Sequence, residues 1–261
     1  MITAQRSRRP QRYVDHVMGL PVSLALRGRH ADDERGRLAW QAVMDGLREV
    51  DRVFSTYRDD SFVSRLGRGE VAVQDGPPAV AEVLALGALA EEQSDGAFRV
   101  RRPGPDGRLV LDPSGVVKGW AVERAAEPLR ALPDTDFCLS AGGDMTCRTL
   151  DPASPPWRIG IEDPTDPTRV LAVVPVFTGA VATSGTAHRG EHLVDARSGL
   201  APTGIASVTV VAASLTWADI DATAAYAHGQ DAARWLETRP GRSGLVVWAD
   251  GSTTTVQPVL P

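Results

Sequence analysis

Asp219 and Thr223 stand four residues apart in an alanine-rich stretch, Thr216 to Gly229, that has no proline and no internal glycine. That composition predicts a helix, with Gly229 as its stop. A helix stacks the carboxylate and the hydroxyl on one face, one turn apart. Two hard oxygens so placed suit a cation such as Mg2+. The plainer alternative is that Asp219 caps or solvates the first turn while Thr223 packs. A second stretch, Asp112-Pro-Ser-Gly-Val-Val-Lys-Gly-Trp-Ala-Val-Glu-Arg124, holds Lys118, the single lysine among 28 lysine and arginine residues. The chain also lacks asparagine, and its excess of Arg, Ala and Gly suggests a coding bias that turns Lys into Arg wherever either serves. A lysine kept against that bias points to a position where a compact ammonium cannot be exchanged for a planar guanidinium. The stretch reads strand, glycine turn, helix, with Lys118 and Gly119 at the helix start. Backbone N–H groups and the positive dipole end there suit a phosphate or pyrophosphate. It is not a Walker loop, because the glycines are too few and no Ser or Thr follows Lys118.

Further turns could bring a ligand close to the backbone. Ser140-Ala-Gly-Gly-Asp144 is a glycine turn after a strand, and Ala182-Thr-Ser-Gly185 a small-residue turn ahead of His188 and His192. His192-Leu-Val-Asp195 sets an imidazole beside a carboxylate, as a general base requires, or as a structural pair often does.

The elements that must position these groups follow from periodicity. Pro21 to Leu26 reads as a first strand after a polar tail over residues 1–15. Glu34 to Phe54 carries Leu38, Ala42, Val43, Leu47, Val50 and Phe54 at helical spacing, a long amphipathic helix. The polar segment Phe54 to Leu66 follows. Pro77 and Pro78 open a second helix to Gln93, with Gly87 on its apolar face marking a close contact. Ser94 to Phe98 is a turn, Arg101 to Gly107 a polar loop, and Leu109 to Leu111 a short strand. A third helix is expected from Trp120 to Glu127, with Pro128 as its stop. Strands are expected at Phe137–Leu139, Trp157–Ile161, Val170–Phe177, Ala180–Thr183 and Ile205–Ala212, then a short helix at Gln230–Glu237. Leu245–Trp248 and Thr253–Val256 form a closing hairpin through Asp250-Gly251. The irregular alternation with hairpin signals predicts an α+β fold, mixed or antiparallel sheets with packed helices, as one domain over residues 16–261.

Composition narrows the function classes. The chain has 261 residues and a formal net charge of -5, with no basic block, which argues against a nucleic-acid surface. No apolar run reaches membrane-spanning length and no signal segment opens the chain, so a cytoplasmic location is expected. Cys138 and Cys147 fit no metal spacing and read as a reduced, buried pair.

Taken together, these stretches resemble the FAD:protein FMN transferases, the ApbE family. Met18-Gly-Leu-Pro21 is similar to its Met-Gly-Thr motif, and Phe54 to Leu66 to its flavin-side segment. Ser94 to Phe98 resembles its Gly-x-Phe-Asp turn, and Asp112 to Glu123 its Asp-x-Gly-Gly-x-x-Lys-Gly-x-Ala-x-Asp. Ala141 to Asp144, Ala182 to Gly185, His192 to Gly199 and Ala218 to Thr223 resemble Gly-Gly-Asp, Ala-Thr-Ser-Gly, His-x-x-Asp-Pro-x-Thr-Gly and Ala-Asp-x-x-x-Thr. The matches keep family order from residue 18 to 229.

The resemblance implies an ApbE-like fold with a ligand cleft between two intertwined subdomains. It implies an enzyme that splits FAD, transfers FMN to a Thr or Ser hydroxyl of an acceptor protein and releases AMP. By position, Gly115 (through its carbonyl), Asp219 and Thr223 would hold Mg2+. Met18, Tyr57, Gly96, Ala97, Phe98, Asp112, Lys118 and Val194 would contact FAD. Lys118, Asp219 and His192 would be catalytic, His192 as the base. Alternatives are an FAD pyrophosphatase, with water in place of the acceptor, and a non-catalytic FAD-binding protein. Loss of Asp219 or Lys118 is expected to abolish FAD cleavage and leave the fold intact. Departures from the family pattern are Ser114, Glu123, Arg99, Gly67, Ala196 and Ser198, with a short segment between Gly185 and His192 and another after Phe98.

Overall fold

The computed structural model describes residues 10–103, 109–151, 153–185 and 194–258. Its first strands, β1 (Gln11–Val17) and β2 (Leu20–Gly28), make a hairpin in which Val17 pairs Leu20. The two-residue turn holds Met18 at φ 56 and Gly19 at φ 68, the double positive φ of a type I′ turn. Glycine adopts this freely, whereas Met18 is held there at a cost of about 1–2 kcal/mol. Residues 11–15 are therefore strand, not tail. Their polar, partly exposed side chains are those of an edge strand, with Tyr13 stacked on Trp40 at 5.8 Å.

Helix α1 (Glu34–Phe54) has the bounds its periodicity predicts, and Asp33 caps it by accepting from the Gly36 amide at 3.1 Å. The polar segment after it contains a short helix, α2 (Phe62–Gly67), started by Ser61, whose Oγ accepts from the Ser64 amide. Helix α3 (Pro78–Gln93) begins at the expected proline. At Gly87 a Cβ would lie 2.6 Å from Val100, so the predicted close contact is real. Strands β3 (Arg101–Pro103) and β4 (Leu109–Leu111) form a small ribbon that leads into α4 (Ser114–Ala125).

This helix starts well before Trp120, the expected boundary. Asp112 Oδ1 accepts from the Ser114 amide at 3.1 Å and Pro113 opens the first turn. Pro128 then sits in the first turn of α5 (Glu127–Arg130) and begins a helix rather than ending one.

Strands β5 (Thr135–Ala141), β6 (Asp144–Arg148), β7 (Trp157–Asp163), β8 (Asp166–Val176) and β9 (Gly179–Gly185) follow, β6 being a short strand not expected from the sequence. After them come β10 (Ile205–Ala212), α6 (Leu215–Ala227), α7 (Ala232–Glu237) and the hairpin β11 (Ser243–Trp248) and β12 (Thr253–Val256). Eight strands form one sheet in the order β1-β2-β5-β6-β9-β10-β11-β12, antiparallel at every pairing, while β7 and β8 pair separately. Alternation sorts the faces. Val22, Leu24, Leu26, Phe137, Leu139, Ala180, Ala182, Val208 and Val210 share the main core with α1, α4 and α6. On the other face Cys147 and Val181 pack under Trp157, Ile159 and Ile161 of β7. The fold is thus α+β, with its helices gathered on one face of a large antiparallel sheet.

Candidate active site

A cleft of about 790 Å³ opens where the β1–β2 turn, the end of α1, the turn before β3 and the start of α4 converge. Its lining includes Met18, Tyr57, Ala97, Phe98, Asp112, Lys118, Val194 and Thr223, so segments from residue 18 to residue 223 meet in one cavity. Tyr57 stands on the rim at 98% exposure. Arg99, Arg102 and Asp51 also line the cleft. Arg99 pairs with Glu91 at 3.0 Å and Arg102 with Asp112 at 3.4 Å.

Beneath the cleft lies a cluster that sequence reasoning only half found. Lys118, from α4, places its ammonium 2.5 Å from Asp144 Oδ2 and 3.1 Å from Asp219 Oδ1. The Asp144 and Asp219 side chains are 1% and 2% exposed, and that of Lys118 21%. Asp144 is delivered by the β5–β6 turn, where Gly142 at φ 58 and Gly143 at φ 97 reverse the chain as their residue type predicts. Its Oδ1 accepts from the Thr183 amide at 3.0 Å, and Asp219 Oδ2 from the Gly119 amide at 2.9 Å. Burial alone would favour the neutral amine of Lys118, but the two carboxylates outweigh it and raise its pKa above the ordinary lysine value. Asp219 is raised to about 7, mainly by burial, with Asp144 adding to the shift and Lys118 and the Gly119 amide opposing it. With both carboxylates ionised, one lysine leaves the cluster a unit of negative charge in excess, a state that burial resists unless a further cation offsets it.

The glycine beside Lys118 makes the cluster possible. A Cβ at Gly119 would meet the Leu215 carbonyl oxygen at 2.7 Å and Asp219 Cβ at 2.8 Å, so only glycine lets α4 lie this close to α6. Gly119→Ala is expected to force the helices apart and to lower stability by about 1–3 kcal/mol, which urea unfolding would read. A second tie is Glu123, whose Oε2 accepts from Ser214 Oγ, Thr216 N and Thr216 Oγ1 at 2.7, 2.9 and 2.5 Å, fixing the start of α6 against α4.

The expected phosphate site at a helix start does not form around Lys118 and Gly119, because both lie inside α4. At the true start the amide of Ser114 is taken by Asp112, and those of Val116 and Val117 by the Pro113 carbonyl. Gly115 is likewise helical, not part of a turn. It is glycine because a Cβ there would lie 2.8 Å from the Phe98 ring. Ala182 to Gly185 is the end of β9 rather than a turn, and sends Ser184 Oγ to Thr223 Oγ1 at 3.0 Å. Gly96 is absent from the cleft lining. It holds φ 79 in the turn behind Ala97, where a Cβ would lie 2.8 Å from the Arg99 guanidinium. His192 lies outside the described residues.

The donor set beside the cluster fits a hard divalent cation. Among the described residues no group of three or more His, Cys, Asp or Glu side chains is arranged for a metal, so oxygen from hydroxyl, backbone and water must complete any site. Asp219 keeps lone pairs beyond its two bonds, and Thr223 presents its hydroxyl one turn along α6. The Gly119 amide donates to Asp219, and the Gly115 carbonyl one turn earlier on α4 has two lone pairs, of which a helical bond uses at most one. The excess negative charge supplies the electrostatic reason to take a cation.

The ApbE family model matches residues 18–102 and 100–246, which together carry every element of the cleft. The chain belongs to the ApbE family. Among its relatives, the FAD:protein FMN transferase of Escherichia coli K12 is 27% identical over 155 residues, 56% of this chain and 44% of the relative. The matched stretch thus spans less than half of that relative's length. Two solved structures share the ApbE fold throughout. The ApbE protein of Thermotoga maritima superposes with a TM-score of 0.79 at 20% identity, covering 95% of this chain and 97% of its own. The apo flavinyl transferase ApbE of Pseudomonas stutzeri also gives 0.79, at 24% identity and 95% coverage of each chain. Within this ApbE fold, Glu123 caps the start of α6 through its bonds to Ser214 and Thr216. Arg99 brings positive charge to the cleft wall. No helix among the described residues is long and apolar enough to cross a membrane.

Proposed function

We propose that the chain splits the pyrophosphate of FAD and passes FMN to a Thr or Ser hydroxyl of an acceptor protein, releasing AMP. The observation that carries this reading is the Lys118–Asp144–Asp219 cluster under an ApbE-family cleft, because its excess negative charge asks for a cation where a pyrophosphate must be handled. Asp219, Thr223 and the Gly115 carbonyl would hold Mg2+. When bound, the ion would polarise a phosphoryl oxygen and offset the charge of the leaving AMP. Lys118 holds both carboxylates in place and lines the cleft floor, where its positive end meets charge that develops on the phosphates. Arg99 and Arg102 add positive charge along the wall, while Met18, Tyr57 and Phe98 offer apolar faces to a flavin. His192 is the proposed base for the acceptor hydroxyl, on the strength of its motif alone.

The test is chromatography of FAD incubated with the protein, with and without Mg2+, and with an acceptor carrying a Thr flavinylation segment. AMP formed only with Mg2+, together with an equimolar amount of covalently flavinylated acceptor, is the expected result. AMP with free FMN and no labelled acceptor would make the chain a pyrophosphatase. Bound FAD with no AMP would make it a flavin-binding protein.

A further inference from the structure

Cys138 on β5 and Cys147 on β6 are the only cysteines of the chain. They stand directly opposite in the antiparallel register, with Sγ atoms 3.3 Å apart, both as free thiols. They point to the sheet face under the β7–β8 hairpin, Cys147 buried against Trp157 and Val181, Cys138 half-buried beside them. Opposed residues in an antiparallel pair have Cα atoms about 4.5–5.5 Å apart, inside the roughly 4.4–6.8 Å that a disulfide spans. Closing the bond therefore needs side-chain rotation and no movement of the strands. The two thiols are also unlike. The hydrogen bond from Cys147 and the nearby Arg27 guanidinium hold Cys138 below the usual thiol range against the opposing effect of burial. Cys147, the donor of that bond and buried, is held above it. Arg27 is fixed in place by Asp136 at 2.9 Å and by stacking on the Trp157 ring at 4.3 Å.

We propose that Cys138 and Cys147 are a reversible modification site that closes to a cross-strand disulfide when the protein meets a peroxide. The Cys138 thiolate attacks one peroxide oxygen, the O–O bond breaks, and the leaving hydroxide takes a proton to become water. The sulfenic acid left on Cys138 is then attacked by Cys147 sulfur. The S–S bond forms, the S–O bond breaks, and the proton of Cys147 leaves with the hydroxyl as a second water. Two thiols lose two electrons, and one peroxide becomes two waters. The bond staples together the hairpin whose turn carries Asp144, three residue pairs away at Ala141 and Asp144. It also restricts the unfolded chain, so the oxidised protein melts higher by roughly 5 °C.

This inference does not depend on the proposed activity, and its test reads no catalysis. The whole native protein is treated with a small excess of hydrogen peroxide, quenched, and weighed intact without reductant. The expected product is lighter by about 2 Da, with neither thiol open to alkylation until dithiothreitol restores both. The rise in melting temperature is expected to vanish in Cys138→Ser and in Cys147→Ser. A gain of about 16 or 32 Da with no crosslink would overturn the site. So would unreacted thiols or chain-to-chain dimers. A crosslinked protein that melts at the reduced temperature would overturn the staple.

Discussion

Asp219→Asn is expected to lower AMP release from FAD by at least about 10³-fold while shifting stability by no more than about 1 kcal/mol. The two halves have one cause. Asp219 is almost wholly buried and its carboxyl is raised to about 7, chiefly by burial, so its charge is poorly accommodated while the cluster lacks a further cation. Removing that charge leaves Lys118 paired with Asp144 alone, a neutral pair. The cost is one acceptor, because an amide cannot accept from both the Lys118 ammonium and the Gly119 amide as the carboxylate does. What is lost in full is the one charged ligand of the proposed Mg2+ site. A readout besides activity separates this from general damage. Mg2+ should stabilise the wild-type protein by about 2.7 kcal/mol at a hundred times its dissociation constant, and should leave Asp219→Asn unmoved. An active variant, or one that Mg2+ still stabilises, would remove Asp219 from the metal site.

Much of this site was legible because local chemistry announced it. The lone lysine in an arginine-rich chain marked Lys118, and the i, i+4 spacing on a proline-free stretch marked Asp219 and Thr223. Helix α1 was legible to its ends, since its period and its Asp33 cap agree. What stayed hidden depended on contacts between distant segments. Asp144 read as the last residue of a glycine turn, and nothing local shows that Lys118, from another element, reaches it. Gly115 looked like turn punctuation, whereas the Phe98 ring is what excludes a side chain there. The start of α4 was misplaced because the stretch around Gly115 was read as a turn, whereas it is the first turn of the helix. β1 was missed because an edge strand need not show an apolar stripe.

Lys118→Met tests the cluster from its other side, and here structure reverses the expectation that the fold survives unharmed. Without the ammonium, Asp144 and Asp219 face each other in a dry interior with nothing to offset them, a loss of about 3–5 kcal/mol where both are ionised. The loss depends on pH, and its sign follows from the direction of the shift. A carboxyl whose pKa in the fold is raised above its unfolded value weakens the fold as pH climbs past the unfolded value, because ionisation is easier in the open chain. Lys118 is one of the groups that hold Asp219 down to about 7, so its removal raises that pKa further. Lys118→Met should therefore approach wild-type stability near pH 5 and fall well below it at pH 8, in urea unfolding at the two values. Lys118→Met combined with Asp144→Asn removes one of the facing carboxylates and should recover most of the loss at pH 8. The double variant should still release no AMP, since the positive charge on the cleft floor is gone. Equal stability of Lys118→Met at both pH values would show that the carboxylates do not depend on the lysine. An active double variant would reduce Lys118 to a structural counter-charge.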